Sequence, residues 1–261
     1  MARERTRNHL DNEQFTKCSA ATAIPRPMEI SSTYPHGMKQ RLMHATTQEL
    51  SATRRPIKAR SSSTIRTLAA TLSRAGVTPN QVSCASVLFS ALSSACMFPR
   101  FLLPGQSRVI FFMLSAMFIQ MRLLCNVLDG LIAIEGGKRT KYGEVFNEIP
   151  DRISDTLLLV SAGYATGSPE FGWAAALCAV FTAYIRSFSA HHTGEQDFSG
   201  PMAKPHRMFV LTLAIVLRAA VDDQPFAPVI MASALLLICV GSVVTSVRRL
   251  RHCVRYISSK D

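Results

Sequence analysis

The chain contains few residues of several kinds that are common in soluble domains stabilised by disulfides or metals. Only 18% of its 261 residues are charged, and one residue is tryptophan. Its seven cysteines form no CxxC pair and show no Cys/His spacing typical of a metal site. Most of the cysteines lie in apolar runs, where a free cysteine behaves as a small hydrophobic residue, and we therefore expect neither disulfides nor zinc. No secretory signal is visible at the N-terminus.

Apolar residues are abundant and are concentrated in the later part of the chain. The composition is 48% hydrophobic with a positive mean hydropathy, yet the first 80 residues are largely polar. The later apolar runs are long enough to span a bilayer. The sequence predicts an all-α integral membrane protein, with six transmembrane helices preceded by an N-terminal amphipathic interfacial helix.

The predicted organisation has a membrane domain between two basic tails. Residues 1–53 are expected to be a disordered or poorly ordered tail, 54–250 the membrane domain and 251–261 the C-terminal tail. Within the domain, Ile65, Leu68 and Leu72 recur at helical spacing and predict the amphipathic helix, which Gly76 ends. Pro150 should kink the third span. The six spans are expected at about 81–98, 108–134, 143–163, 171–189, 208–221 and 227–247.

Basic residues are in excess and alternate with the apolar runs. Before Pro79 there are 13 Lys and Arg against 5 Asp and Glu, and five more basic residues follow Val247. Basic loops beside membrane spans mark the cytoplasmic side, so both termini are expected there, in the inner membrane if the source is bacterial. Such tails could also attract nucleic acid. That alternative rests on charge alone, and we expect no nucleic-acid partner.

Two polar clusters interrupt the apolar sequence on either side of the turn at 135–142. Each cluster shares one helical face: Asn126, Asp129 and Ala133 in the first, and Asn147, Asp151 and Asp155 in the second. Folded back on each other, the two faces would converge on one point. Acids at membrane depth cost roughly 2.5–3.5 kcal/mol each, which makes them functional candidates. The alternative is two capped helix ends with solvated acids.

The same stretch resembles the signature of the CDP-alcohol phosphatidyltransferases, D-x2-D-G-x2-A-R-x8-G-x3-D-x3-D. The positions that match it, at the family's spacing, are Asp129, Gly130, Ala133, Gly143 and Asp151. Three positions depart from it: Asn126 and Asn147 stand at the first and third Asp, and Ile134 stands at the Arg. A second, weaker resemblance is the Thr-Pro-Asn at 78–80, which predicts a helix start because proline suits the first turn.

The resemblance implies a reaction and a set of roles. The reaction is transfer of a phosphatidyl or substituted phosphate group from CDP-diacylglycerol, or a related CDP-alcohol, to an alcohol acceptor, with release of CMP. It implies Mg²⁺ or Mn²⁺, with Asp151 also the candidate base. The implied metal ligands are Asn126, Asp129, Asn147 and Asp151, with Asp155 as an additional candidate one turn further on. The implied nucleotide and acceptor contacts are Asn80, Gly130, Ala133, Gly143, Arg186, Lys204 and Arg207. The family also implies a homodimer among membrane lipids.

The two asparagines leave the state of the site open. Each can coordinate a cation through its amide oxygen, but each removes a negative charge. The site could bind one metal or two more weakly, could recruit Asp155, or could be degenerate. The alternative function is therefore a membrane protein that binds or transports a lipid head group or an ion without catalysis.

Overall fold

All regular structure in the described part of the chain is helical. The computed structural model describes residues 62–98, 105–135, 143–194 and 196–259. The predicted tail at 1–53 and most of the basic turn at 135–142 lie outside the described residues. The helices are α1 (Ser63–Arg74), α2 (Pro79–Met97), α3 (Gly105–Glu135), α4 (Gly143–Thr166), α5 (Pro169–Thr193), α6 (Lys204–Ala220) and α7 (Ala227–Ser258).

The break between α1 and α2 forms as the sequence predicts. Gly76 has a φ of 87°, a left-handed conformation that side chains with a Cβ rarely adopt. Thr78 then caps α2: the Gln81 N–H donates to Thr78 Oγ1 at 3.3 Å, and the Thr78 N–H donates to Gln81 Oε1 at 2.9 Å. This reciprocal pair satisfies two backbone donors that the helix leaves free. The predicted helix start at Thr-Pro-Asn is confirmed.

Helix α1 is amphipathic, as its spacing indicates. Ala69 is fully buried, and Ile65 and Leu72 pack beside it against a cluster that includes Leu128 and Ile132 of α3. The part of the apolar face of α1 that carries Ile65, Ala69 and Leu72 is thus covered by protein, whereas Leu68 is 40% exposed. The location of α1 at the membrane surface stays a prediction.

Helices α5 and α7 extend beyond the predicted spans. Helix α5 continues to Thr193, where Gly194 ends it with a φ of 77°. Helix α7 continues past Val247 to Ser258, because the basic residues that follow are good helix formers. Helix α4 continues through Pro150.

Among the helices that the structure describes, three are long and apolar enough to cross a membrane: Gly105–Ala133, Pro169–Thr193 and Ala227–Ser258. Many large apolar side chains on these helices face outward, Leu177 and Val229 among them. The other candidate spans are less apolar or shorter for identifiable reasons. Helix α2 buries a series of serines, α4 carries the acids, and α6 has only 17 residues. The chain is a membrane protein, and six spans remain a prediction.

Helices α3 and α4 share a common neighbour in the bundle. Helix α2 packs extensively against both of them, α5 packs against α4 and α7, and α6 packs against α3 and α7. Helices α4 and α5 approach most closely at Gly163 and Gly172, where a Cβ added to Gly163 would lie 2.7 Å from the Gly172 Cα. Buried serines on α2 permit similarly close contact: Ser93 Oγ donates to the Ser115 carbonyl of α3 at 3.0 Å.

The contact between α5 and α7 can be tested with two native cysteines. The Sγ atoms of Cys178 and Cys239 lie 3.4 Å apart. Copper–phenanthroline is expected to join them, with the two thiols giving up two protons and, to the oxidant, two electrons. Mass spectrometry of unreduced peptides should show the link, and Cys239→Ser should abolish it. A link from Cys178 to any other cysteine would contradict the packing of these helices.

Candidate active site

Asp129 lies near the end of α3 and is almost completely buried. Its exposed fraction is 6%, and Ser83 of α2 donates a hydrogen bond to its Oδ2 atom at 2.7 Å. The carboxylate also interacts electrostatically with Asp151 of α4 and Lys204 of α6. The first predicted acid therefore faces the second helix of the motif, as the two helical faces predict.

Asp151 is the point at which three helices meet. It is 6% exposed, and its Oδ1 atom forms an ion pair with the ammonium group of Lys204, the first residue of α6. Arg122 of α3 lies on the same oxygen, with its Nη2 atom 3.7 Å away. Both of these cationic contacts of Asp151 thus involve Oδ1, and Oδ2 takes part in neither of them.

Asp155 lies one turn further into the bundle and binds two arginines. Arg122 Nη2 donates to Oδ1 at 2.6 Å, and Arg207 Nη2 donates to Oδ2 at 2.9 Å. Arg122 is completely buried, and Arg207 also donates to the Met202 carbonyl at 3.0 Å. Both carboxylate oxygens are therefore engaged, and Asp155 ties α3, α4 and α6 together.

A more exposed group of charges lies nearer the start of α4. Glu148 forms an ion pair with Arg186 of α5 and a second with Arg152, at 3.4 Å. Arg186 also lies over the ring of Phe198, 5.7 Å from its centroid, in a cation–π contact. The side chain of Arg186 is 18% exposed and that of Lys204 22% exposed, so both are reachable from solvent.

The loop before α6 is held by α7. Arg249 Nε donates to the Ser199 carbonyl at 3.0 Å, and the Met202 N–H donates to Thr245 Oγ1 at 3.0 Å. Burial raises the pKa of Asp197 in this loop, but hydrogen bonding to Ser199 and the charge of Arg249 lower it overall. Because the loop leads directly into α6, these contacts fix where Lys204 begins that helix.

The remaining predicted site residues are less enclosed. Asn126 is half-buried, and its Nδ2 atom is buried without a hydrogen-bond partner among the described residues. Asn147, by contrast, is exposed. Partial burial is shared by the residues predicted to contact nucleotide: Asn80, Gly130, Ala133 and Gly143. Their roles stay predictions.

Three residues of the site were not assigned a role from the sequence. Ser83 is one of many serines in α2, and only its hydrogen bond to Asp129 distinguishes it. A buried acidic partner for Arg122 could have been predicted, since an arginine inside an apolar span needs one. Glu148 lies beside Asn147 in the sequence, but its partner Arg186 is 38 residues away.

The oxygen atoms of the site include few negative charges and suit a divalent cation. Hard cations prefer oxygen ligands, and Asp129 and Asp151 supply carboxylate oxygens close to each other. With its amide rotated by half a turn, Asn126 would place a buried oxygen where the Nδ2 atom now lies without a hydrogen-bond partner among the described residues. Across residues 62–98, 105–135, 143–194 and 196–259, no group of three or more His, Cys, Asp or Glu could hold a metal ion. The residues fit one cation held by two carboxylates and amide oxygen.

Comparison with known proteins identifies relatives of the whole helical domain. Phosphatidylinositol phosphate synthase of Mycolicibacterium smegmatis is 28% identical over 191 residues, which cover 70% of this chain and 79% of that protein. Two crystal structures of the Mycobacterium tuberculosis phosphatidylinositol phosphate synthase share the fold. The structure with CDP-DAG bound has a TM-score of 0.57 and 21% identity, covering 72% of this chain and 92% of that one. The complex with manganese and citrate has a TM-score of 0.59 and 22% identity, covering 72% and 88%.

The family profile described as CDP-alcohol phosphatidyltransferase matches residues 76–244, which include every residue of the site described above except Thr245 and Arg249. The resemblance seen in the sequence is thereby confirmed. The chain belongs to the CDP-alcohol phosphatidyltransferase family and is an enzyme of phospholipid biosynthesis that transfers a substituted phosphate group from a CDP-alcohol to an alcohol acceptor.

Proposed function

We propose that this enzyme transfers the phosphatidyl group of CDP-diacylglycerol to a phosphorylated alcohol, with inositol phosphate the first candidate, in the presence of Mg²⁺ or Mn²⁺. The observation that carries the proposal is the meeting of Asp129, Asp151 and the partly exposed Lys204 at one point between α3, α4 and α6. Carboxylates for a cation and a base thus lie beside a cationic group that can receive an anionic acceptor.

Asp151 is the proposed base. The acceptor hydroxyl attacks the β-phosphorus of the donor, a new P–O bond forms, and the P–O bond to CMP breaks. The hydroxyl proton passes to Asp151, whose Oδ2 lies opposite the oxygen that Lys204 and Arg122 contact. Those two cations hold the carboxylate in place.

The proposed cation acts on the phosphate groups of the donor. When bound, a divalent cation neutralises the diphosphate of the donor and stabilises the charge that develops on the leaving phosphate. Asp129, Asp151 and Asn126 would hold it, and Asn147 is a further proposed ligand from the exposed part of α4. Ser83 orients Asp129 through its hydrogen bond.

The basic side chains near the opening favour a phosphorylated acceptor. Lys204, Arg186 and Arg152 are each partly exposed, and the single carboxylate of Glu148 pairs with both arginines, which leaves a net positive charge. A phosphate arriving here would meet ammonium and guanidinium donors suited to it. Arg207, which the sequence also suggests for the acceptor, is instead buried against Asp155, so we assign it a supporting place beneath this group.

The relatives support the same acceptor class. The M. smegmatis and M. tuberculosis proteins are phosphatidylinositol phosphate synthases, and the M. tuberculosis protein has been crystallised with CDP-DAG and with manganese. Six spans, cytoplasmic termini and a homodimer complete the proposal on the basis of charge distribution and family resemblance.

A panel of acceptors tests the proposal. Purified enzyme in detergent would receive CDP-diacylglycerol and Mn²⁺ with one alcohol at a time: inositol 1-phosphate, glycerol 3-phosphate, inositol or glycerol. CMP release and the lipid product would be measured by mass spectrometry. We expect release with a phosphorylated alcohol, and Arg186→Ala should raise the KM for that acceptor while changing kcat less. Equal use of the unphosphorylated alcohols would contradict the acceptor class. Binding of CDP-diacylglycerol without release would favour a lipid-binding protein.

A further inference from the structure

We infer that the site holds one divalent cation, and that the Lys204 ammonium occupies the position beside Asp151 that a second cation would need. The inference rests on the proposed function and concerns how the site is charged. It follows from three features of the described residues: the supply of carboxylate ligands, the partners of Asp155 and the balance of charge.

The supply of anionic ligands is small. Among the residues whose side chains the structure describes, Asp129 of α3 and Asp151 of α4 are the motif carboxylates that interact electrostatically with each other. The other motif positions carry the neutral amides of Asn126 and Asn147, and the latter is exposed. Two divalent cations bring four positive charges, and bridging carboxylates are the usual means of holding such ions near each other. Two carboxylates balance one such ion.

Asp155 does not add a third carboxylate to this supply. Each of its oxygens accepts a hydrogen bond from a guanidinium group, at 2.6 Å from Arg122 and 2.9 Å from Arg207. A metal ion there would displace both contacts and leave two arginines buried without a counter-charge, which is strongly unfavourable. Asp155 is therefore committed to the protein framework.

The charges of the described residues at the centre of this group balance. Three carboxylates, Asp129, Asp151 and Asp155, lie beside three cations, Arg122, Lys204 and Arg207, with Arg152 acting on Asp155 from further away. Binding of one divalent cation gives this group a net positive charge. A second cation would be repelled by that charge and would lie directly beside the Lys204 ammonium. The Lys204 ammonium thus places a positive charge beside Asp151 without the oxygen ligands that a metal ion would need. Arg249 and Thr245 hold the loop that leads to Lys204 in place.

The single cation is placed on the Asp129 side of the group. Asn126 lies one turn before Asp129 on the same helix face, and its buried Nδ2 atom has no hydrogen-bond partner among the residues that the structure describes. Lys204 contacts Asp151 on Oδ1, so the opposite side of that carboxylate faces the reacting groups. The cation and the ammonium therefore lie on different sides of Asp151.

Counting bound Mn²⁺ tests this inference. Free Mn²⁺ gives a sharp electron paramagnetic resonance signal, so titration of the whole enzyme in detergent gives the number of ions bound per chain. We expect one ion for the wild type. The double variant K204M/N147D removes the ammonium and adds a carboxylate, and it should bind two. The matched control R186M/N147D makes the same change of charge at a cation that contacts Glu148, and it should still bind one.

Each result has a definite meaning. Two ions of similar affinity in the wild type overturn the inference, and so does a second ion in the control as well as in K204M/N147D. One ion in a folded K204M/N147D variant also overturns it. CMP release, measured on the same preparation, reports separately on the proposed function: two ions with release would sink the inference alone, whereas one ion without release would sink the function alone.

Discussion

Replacing Asp151 by Asn is expected to lower kcat by about 10²–10⁴-fold, the usual contribution of a positioned general base. The amide keeps the size of the side chain but cannot accept the acceptor's proton. It also removes the anion that pairs with Lys204 and Arg122. CMP release at saturating CDP-diacylglycerol and acceptor would measure the effect, with the pH dependence of kcat recorded alongside.

The matched control for this variant is Glu148→Gln. Glu148 lies one turn earlier on α4 and also forms ion pairs with basic residues, but it is more exposed and lies away from Asp129. We expect Glu148→Gln to change kcat little. A kcat in Asp151→Asn close to that of the control would show that the proton goes elsewhere, and Asp151 would lose its assigned role.

Replacing Asp155 by Ala is expected to lower the free energy of unfolding by about 3–5 kcal/mol, because it leaves buried charges without a partner. Arg122 and Arg207 would both lose their carboxylate inside the bundle, where neither can reach water. Unfolding in mixed micelles with increasing sodium dodecyl sulfate would give the difference in stability. Activity should fall with it, since α3, α4 and α6 are joined through this residue.

The more exposed ion pairs of Glu148 provide the comparison for this loss of stability. Glu148→Gln removes partners from Arg152 and Arg186, whose charges remain hydrated, and it should cost less than about 1 kcal/mol. If Asp155→Ala unfolds no more easily than Glu148→Gln, the buried pairs do not hold the helices together. Asp155 would then become available as a metal ligand, and the inference of a single cation would weaken.

Much of the fold could be predicted because membrane helices leave strong local signals. The start of α2 follows from Thr78, whose capping partner Gln81 lies three residues away. The convergence of Asp129 and Asp151 follows from helical spacing on either side of one short turn. Helix ends were less predictable: α7 continues past the hydrophobic run, since basic residues end a hydrophobic span without ending a helix.

The partners of the charged residues could not be predicted in the same way. Spacing shows which residues share a face of one helix, but Arg122 and Asp155 meet only because α3 and α4 both pack on α2. Lys204 and Arg207 look equivalent in the sequence, three residues apart and both basic. The structure separates them, with Lys204 partly exposed at Asp151 and Arg207 buried at Asp155.

The measurement that tests the central claim most directly is metal-dependent CMP release by the wild type beside Asp151→Asn. Both would be folded in detergent with CDP-diacylglycerol, inositol 1-phosphate and Mn²⁺, with and without a chelator. The account predicts release by the wild type that the chelator abolishes and that Asp151→Asn reduces by orders of magnitude. Release that survives both the chelator and the substitution would contradict it, because the reaction would then need neither the cation nor the base placed at this site.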